Sequence, residues 1–196
     1  MRRSITAQAE IDAAKKTAIL DAALEMFSTE GFGGTRVESI AKKAGVSYGT
    51  VYHYYPTKEV LYHMVVQRAM DESFRMAQQL SESKETAYEQ MNCYLHDSFN
   101  QSTTSEGAQG LQLLYDVLSA KNIPEITRAY AKEKQQQITH MLTELMLRLQ
   151  QEGHLVDKDP EEMVSMIHAL KIGHTFLHIA KMCKPLTIET ILSLLY

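Results

Sequence analysis

Few of the residues that mark specialised classes of protein are present. There are two cysteines in 196 residues. Cys93 and Cys183 lie far apart and fit no metal-ligand spacing, so a disulfide scaffold and a zinc module are both excluded and a reduced compartment is expected. No apolar run approaches the ~20 residues that a membrane span needs. The basic start, MRRSITAQAEIDAAKK, lacks the apolar centre of a secretory signal, which points to the cytoplasm. Internal repeats, low-complexity segments and alternating strand patterns are missing too. A net charge of −4 argues against a general nucleic-acid binder. What remains is a chain with 44% hydrophobic residues, long enough for one sizeable core or two small domains.

The charge is unevenly spread. Residues 1–68 carry nine Lys/Arg and seven Asp/Glu, a net +2, whereas residues 69–196 carry eleven and seventeen, a net −6. From Arg36 to Arg68 there are five basic residues against two acidic ones. A mildly basic head on an acidic body suits a protein that touches DNA at one end only.

The head contains the most informative stretch, TRVESIAKKAGVSYGTVYHYYPTK, residues 35–58. Val37, Ile40, Ala41 and Ala44 fall on one face of a helix. Thr35 and Glu38 have capping-box spacing, which predicts a start at Thr35. Gly45 predicts its end, because glycine turns left-handed without strain. Ser47 is placed to cap a second helix, Tyr48 to Tyr54, and Pro56 to end it. Small Ala41, the turn at Gly45 and inward Val51 are what a steeply crossing helix-turn-helix requires. The rest of the second helix is acid-free. Ser47, Tyr48, Thr50, Tyr52, His53 and Tyr54 offer hydroxyls, phenols and an imidazole, with Lys58 just beyond. These groups can reach phosphates and base edges, where a carboxylate would be repelled. A solvated, tyrosine-rich polar helix is the plain alternative.

The longer string EGFGGTRVESIAKKAGVSYGTVYHYYPTKEVL resembles the N-terminal domain of the TetR (tetracycline-repressor-like) family of bacterial transcriptional regulators. The likeness covers about residues 13–66. It departs where Tyr54-Tyr55-Pro56 replaces a more usual His-Phe-basic ending, with His53 one place earlier. The resemblance implies a helix-turn-helix domain over residues 1–57 and a helical effector-binding and dimerisation domain over 58–196. It implies an inverted-repeat DNA operator, a homodimer, a small-molecule effector that releases the DNA, and a repressor's role. On that reading Thr35, Arg36, Tyr52, His53 and Lys58 clamp phosphates, and Ser47, Tyr48, Thr50 and Tyr54 lie nearest the bases.

The remaining pattern is all-α, with about nine helices. Residues 1–12 read as a loose arm from which Arg2 and Arg3 could reach DNA. The first helix, 13–30, has a stripe of Ala18, Ile19, Ala22, Ala23, Met26 and Phe27, with Phe32 folding back onto it. The fourth, capped by Thr57, spans about 58–80; Val60, Leu61, Met64 and Val65 are expected on the head, and Met70, Phe74 and Ala77 on the body. A fifth covers 86–101, QSTTSEG forms a loop, and a sixth covers 108–119. A seventh runs to Glu152. Asp159-Pro160-Glu161-Glu162 is a strong start signal for an eighth, about 160–182. Pro185 separates it from a short apolar ninth.

Met91, Tyr94, Phe99, Tyr115, Met141, Met166, His174 and Phe176, with Phe74, combine soft and amphipathic side chains suited to an adaptable pocket, though any one of them also serves as core. The resemblance makes them the effector pocket. The apolar terminal helix would be a liability on a monomer, so Ile172, Ile179, Ile188, Ile191, Leu192 and Leu195 are assigned to the dimer interface, where TetR-like proteins pair. His168, His174 and His178 share a helix, but no Cys or carboxylate in the same turns completes a metal set. No cofactor or metal is expected. The rival reading is a helical enzyme using these histidines, and it requires a complete catalytic set that the sequence does not display.

Overall fold

The computed structural model describes residues 2–154, 158–182 and 187–195, and leaves undescribed the side chains of residues 2–6, 188, 192, 194 and 195. Cys183 and Pro185, and the side chains of Arg2 and Arg3, lie outside the described residues. Within them the protein is all-α: α1 (Arg2–Gly34), α2 (Val37–Lys43), α3 (Tyr48–Tyr54), α4 (Lys58–Glu82), α5 (Ala87–Thr103), α6 (Ser105–Ser119), α7 (Glu125–Gln151), α8 (Pro160–Ile179) and α9 (Ile188–Leu195). None of these helices is long and apolar enough to cross a membrane.

Several ends are where the local chemistry puts them. Gly45 has φ +67°, and the amides of Gly45 and Val46 donate to the carbonyls of Lys42 (3.3 Å) and Ala41 (3.0 Å), a Schellman closure of α2. The Ser47 side chain accepts from the Thr50 amide at 3.1 Å and caps α3. Thr57 accepts from the Val60 amide at the start of α4. The Asp159 carboxylate accepts from the amides of Glu161 and Glu162 at the start of α8.

Four readings are corrected. The supposed arm is helical from Arg2, because residues 2–30 contain neither Gly nor Pro and are rich in alanine, the best helix former. Thr35 is not a cap: α2 begins at Val37 with Arg36 as an N-cap that makes no side-chain bond. The QSTTSEG loop shrinks to Thr104 between α5 and α6. This tight turn depends on Gly107, whose missing Cβ would run into the Gln101 carbonyl. On the first turns of α4 the buried positions are Leu61, Tyr62, Val65 and Val66, whereas Val60 and Met64 are exposed. Tyr62 explains the rotation, since its ring lies 4.9 Å from those of both Phe27 and Phe32. Such pairs add about 0.5–1.5 kcal/mol each beyond area burial.

The chain forms two compact units, Met1–Ala69 with Gln112–Ala131, and Met70–Leu111 with Lys132–Tyr196. The core of the first contains Ile19, Phe27, Ile40, Val51, Leu61, Tyr62, Leu113 and Val117. There Arg128 donates to the carbonyls of Leu118 (3.2 Å) and Ala120 (2.5 Å), satisfying the C-terminal end of α6. His63 meets the Thr127 hydroxyl at 3.2 Å. The second unit is built on Met91, Leu95 and Phe99 of α5, Leu142, Met146 and Leu149 of α7, and Met163, Val164 and Ile167 of α8. Buried Gln90 donates to the carbonyls of Ser83 (3.0 Å) and Glu85 (2.9 Å) and accepts from Arg148 (2.8 Å), so it ties the α4–α5 link to α7.

Candidate nucleic-acid interface

The exposed surface of α3 is made by residues that the α2–α3 geometry turns outward. Val51 faces the core, and Ser47, Tyr48, Gly49 and His53 are exposed. The Ser47 and Thr50 hydroxyls share a hydrogen bond of 2.8 Å. One turn apart, the Tyr48 and Tyr52 rings pack edge to face at 4.7 Å. The neighbouring Tyr52 phenol is the main cause that pushes Tyr48 up to about 12, so Tyr48 keeps its proton as a donor at neutral pH. From Ser39 to Lys58 there is no Asp or Glu.

Other expected contacts are placed differently. Thr35 is 2% exposed, and its hydroxyl donates to the carbonyls of Gly31 (2.8 Å) and Met26 (3.1 Å). It fastens the bend of α1, where Gly31 has φ 69°. Tyr54 is half-buried and donates to the Asp12 carboxylate at 2.9 Å, a bond that raises its pKa, and Lys16 lies over its ring. Asp12 and Lys16 are therefore neighbours of α3 that sequence reasoning missed. The signal was available in the unbroken alanine-rich run of α1, but the partner of Tyr54 is 42 residues away. Arg36 is exposed, while the Lys58 ammonium rests 4.7 Å from the centre of the Phe32 ring.

In the second unit Met91, Tyr94, Phe99 and His174 are buried, and Phe74, Met141 and Met166 are half-buried. The Phe99 and His174 rings lie 5.5 Å apart. Burial pushes Tyr94 up to about 12. The Lys134 ammonium sits 3.9 Å over Phe74. Met141 lines a cavity of about 170 Å³, together with Ala77, Leu80, Gln90, Leu145 and Arg148 among others. Tyr115 and Phe176 are 62% and 64% exposed. Tyr115 belongs to the first unit, and Phe176 joins Ile172 and Ile179 in an exposed apolar stripe along α8. Ile191, expected at an interface, is 0% exposed within its own chain, where α9 packs on α5. The side chains of Ile188, Leu192 and Leu195 lie outside the described residues. Among the described residues no cluster of three His, Cys, Asp or Glu side chains is placed to hold a metal.

Comparison with known proteins adds three findings. Residues 19–65 match the family described as bacterial regulatory proteins, tetR family. The HTH-type transcriptional regulator RutR of Escherichia coli (strain K12) is 53% identical over 58 residues, which is 30% of this chain and 27% of RutR, so the match spans about a quarter of that regulator. UidR of the same organism, also an HTH-type transcriptional regulator, is 24% identical over 164 residues, covering 82% of this chain and 78% of UidR. Among solved structures, AibR in complex with isovaleryl coenzyme A and operator DNA superposes with a TM-score of 0.71 at 19% identity, covering 91% of this chain and 94% of AibR. At that identity the likeness is one of fold.

Proposed function

Because this chain belongs to the TetR family of bacterial regulatory proteins, we propose that it is a transcriptional repressor that binds an inverted-repeat operator as a dimer and is released by a small effector. The observation that carries the DNA reading is the acid-free surface of α3, held in place by the Schellman turn at Gly45 and the Ser47 cap. Its donors are hydroxyls and phenols, which suit phosphates and base edges. On this reading Ser47, Tyr48 and Thr50 face the bases. Arg36, Tyr52, His53 and Lys58 hold the backbone, while Thr35 and Tyr54 set the geometry of α1 against α2 and α3.

The dimer reading rests on the exposed stripe of Ile172, Phe176 and Ile179, an apolar surface that a second copy of the same helix would cover. Two α3 helices in a dimer suit half-sites about 34–36 Å apart or a multiple of that distance. The release reading rests on α4. It is one uninterrupted helix of 25 residues, roughly 37 Å long at 1.5 Å per residue. Its first turns bury Leu61 and Tyr62 in the first unit, and its later residues Ala77 and Leu80 line the cavity in the second.

Binding-site selection with the purified full-length protein tests the proposal. A palindromic consensus is expected, with affinity falling steeply as salt rises, because the backbone clamp displaces counterions. Equal affinity for random and selected duplexes at every salt concentration would overturn it.

A further inference from the structure

The inner face of α8 changes character halfway along. Helical periodicity puts Met163, Val164, Ile167, Lys171, His174, Thr175 and His178 on one side. The first three are buried apolar residues. The rest are a lysine, two histidines and a threonine whose hydroxyl is already given to the Lys171 carbonyl at 2.8 Å. On α5, which packs against α8, Ser98 is the chain neighbour of Phe99, the ring that lies against His174.

Two of these groups, His174 and Ser98, are deeply buried and poorly served, while Lys171 and His178 are half-buried. His174 is 4% exposed and Ser98 1%. Among the described residues, no protein group meets either ring nitrogen of His174 or the Ser98 hydroxyl. Burying such groups without a partner is costly, so native proteins almost always provide one. The charge is equally one-sided. Burial draws the Lys171 ammonium down to about 8, which leaves it mostly protonated at neutral pH. Lys171 is near enough to His168 to depress the latter's pKa further. No carboxylate among the described residues is paired with Lys171, His174 or His178. Asp97 of α5 is exposed and turned to His96 and Cys93. A cluster of donors and positive charge, with no acid to answer it and apolar residues alongside, is complementary to a carboxylate carrying a short hydrocarbon chain.

We infer that the α5–α8 face of the second unit binds a small organic carboxylate, with Ser98 and His174 donating hydrogen bonds to its oxygens and Lys171 supplying the opposing charge. The imidazole donates from one nitrogen as the neutral tautomer, and Phe99, Leu95 and Ile167 flank the hydrocarbon part. The binding site stands on the cluster itself. Only its role in releasing DNA rests on the effector reading above.

The test uses the full-length protein with acetate, butanoate and hexanoate, and with ethanol, butanol and hexanol as uncharged counterparts, followed by thermal denaturation and calorimetric titration. Butanoate or hexanoate should raise Tm where the matching alcohol does not. Ser98→Ala and Lys171→Met should each weaken that binding tenfold or more with helical content unchanged, while Lys171→Arg retains it. The site is overturned if no acid in the series binds, if acids and alcohols bind alike, or if Ser98→Ala and Lys171→Met bind as wild type does. Operator affinity measured in the same samples separates the two readings. A carboxylate that binds with this dependence but leaves DNA bound supports the site and refutes its effector role. Release of DNA by an alcohol, with no acid binding, refutes the site and keeps an effector.

Discussion

Thr35→Val separates a structural threonine from a DNA-contacting one. Valine keeps the branched shape and buried volume but removes a hydroxyl that donates to the Gly31 carbonyl at 2.8 Å and to the Met26 carbonyl at 3.1 Å. A neutral hydrogen bond contributes about 0.5–1.5 kcal/mol net. The Gly31 carbonyl keeps the Thr35 amide, at 3.2 Å, as a second donor, so its loss is partial. Together these place the cost of Thr35→Val at roughly 1–2 kcal/mol. In a chain of this size that corresponds to a fall in Tm of roughly 2–8 °C. Thr35→Ser restores the donor and should recover most of the loss. The assay pairs urea unfolding with operator titration at a temperature where both variants are folded. Lower stability with operator affinity within about threefold of wild type is expected. Unchanged stability with binding weakened about tenfold or more would refute the reasoning and return Thr35 to the phosphates.

Thr50→Ala should relax base preference at one or two positions, by ~1 kcal/mol or less for a single hydroxyl, as read by repeating the site selection on the mutant. Gly107→Ala places a Cβ against the Gln101 carbonyl and should lower stability in urea by about 1–3 kcal/mol. Phe176→Glu puts a charge in the middle of the exposed stripe of α8; sedimentation should show monomers, and an unaltered dimer would remove this stripe from the interface. Ala77→Phe fills part of the cavity beside α4 and should lower operator affinity about tenfold without dissociating the dimer, at an overpacking cost of about 1–3 kcal/mol. By linkage, any ligand that weakens DNA binding must itself be weakened equally by DNA.

The helical skeleton was readable because its punctuation is local. Gly45, Ser47, Thr57 and Asp159 act on amides within a few residues of themselves, so the ends of α2, α3, α4 and α8 fall at or within a few residues of their expected places. The bend of α1 and the turn between α5 and α6 were less visible. At Gly107 the reason is a close approach to a backbone carbonyl six residues earlier, which no propensity encodes. The rotation of α4 was missed because Val60 and Met64 satisfy an apolar pattern as well as Tyr62 does. Only the packing of Tyr62 between Phe27 and Phe32 decides the face.

The candidate site was legible by residue type but not by allegiance. Thr35, Thr50 and Tyr54 all carry hydroxyls in an acid-free neighbourhood, and composition treats them alike. Their environments do not. Thr35 gives its proton to a carbonyl nine residues back, Thr50 pairs with Ser47 three residues away, and Tyr54 reaches Asp12 across 42 residues. A hydroxyl bound to a buried carbonyl is unavailable to a phosphate, while one on an exposed cap can exchange partners at little cost, since water already competes for it. What separates scaffold from contact on this surface is therefore tertiary. The same reasoning applies to His174, a pocket candidate by residue type, and to Ser98, which no sequence pattern singles out; that neither finds a hydrogen-bonding partner among the described residues is visible only in the packed second unit.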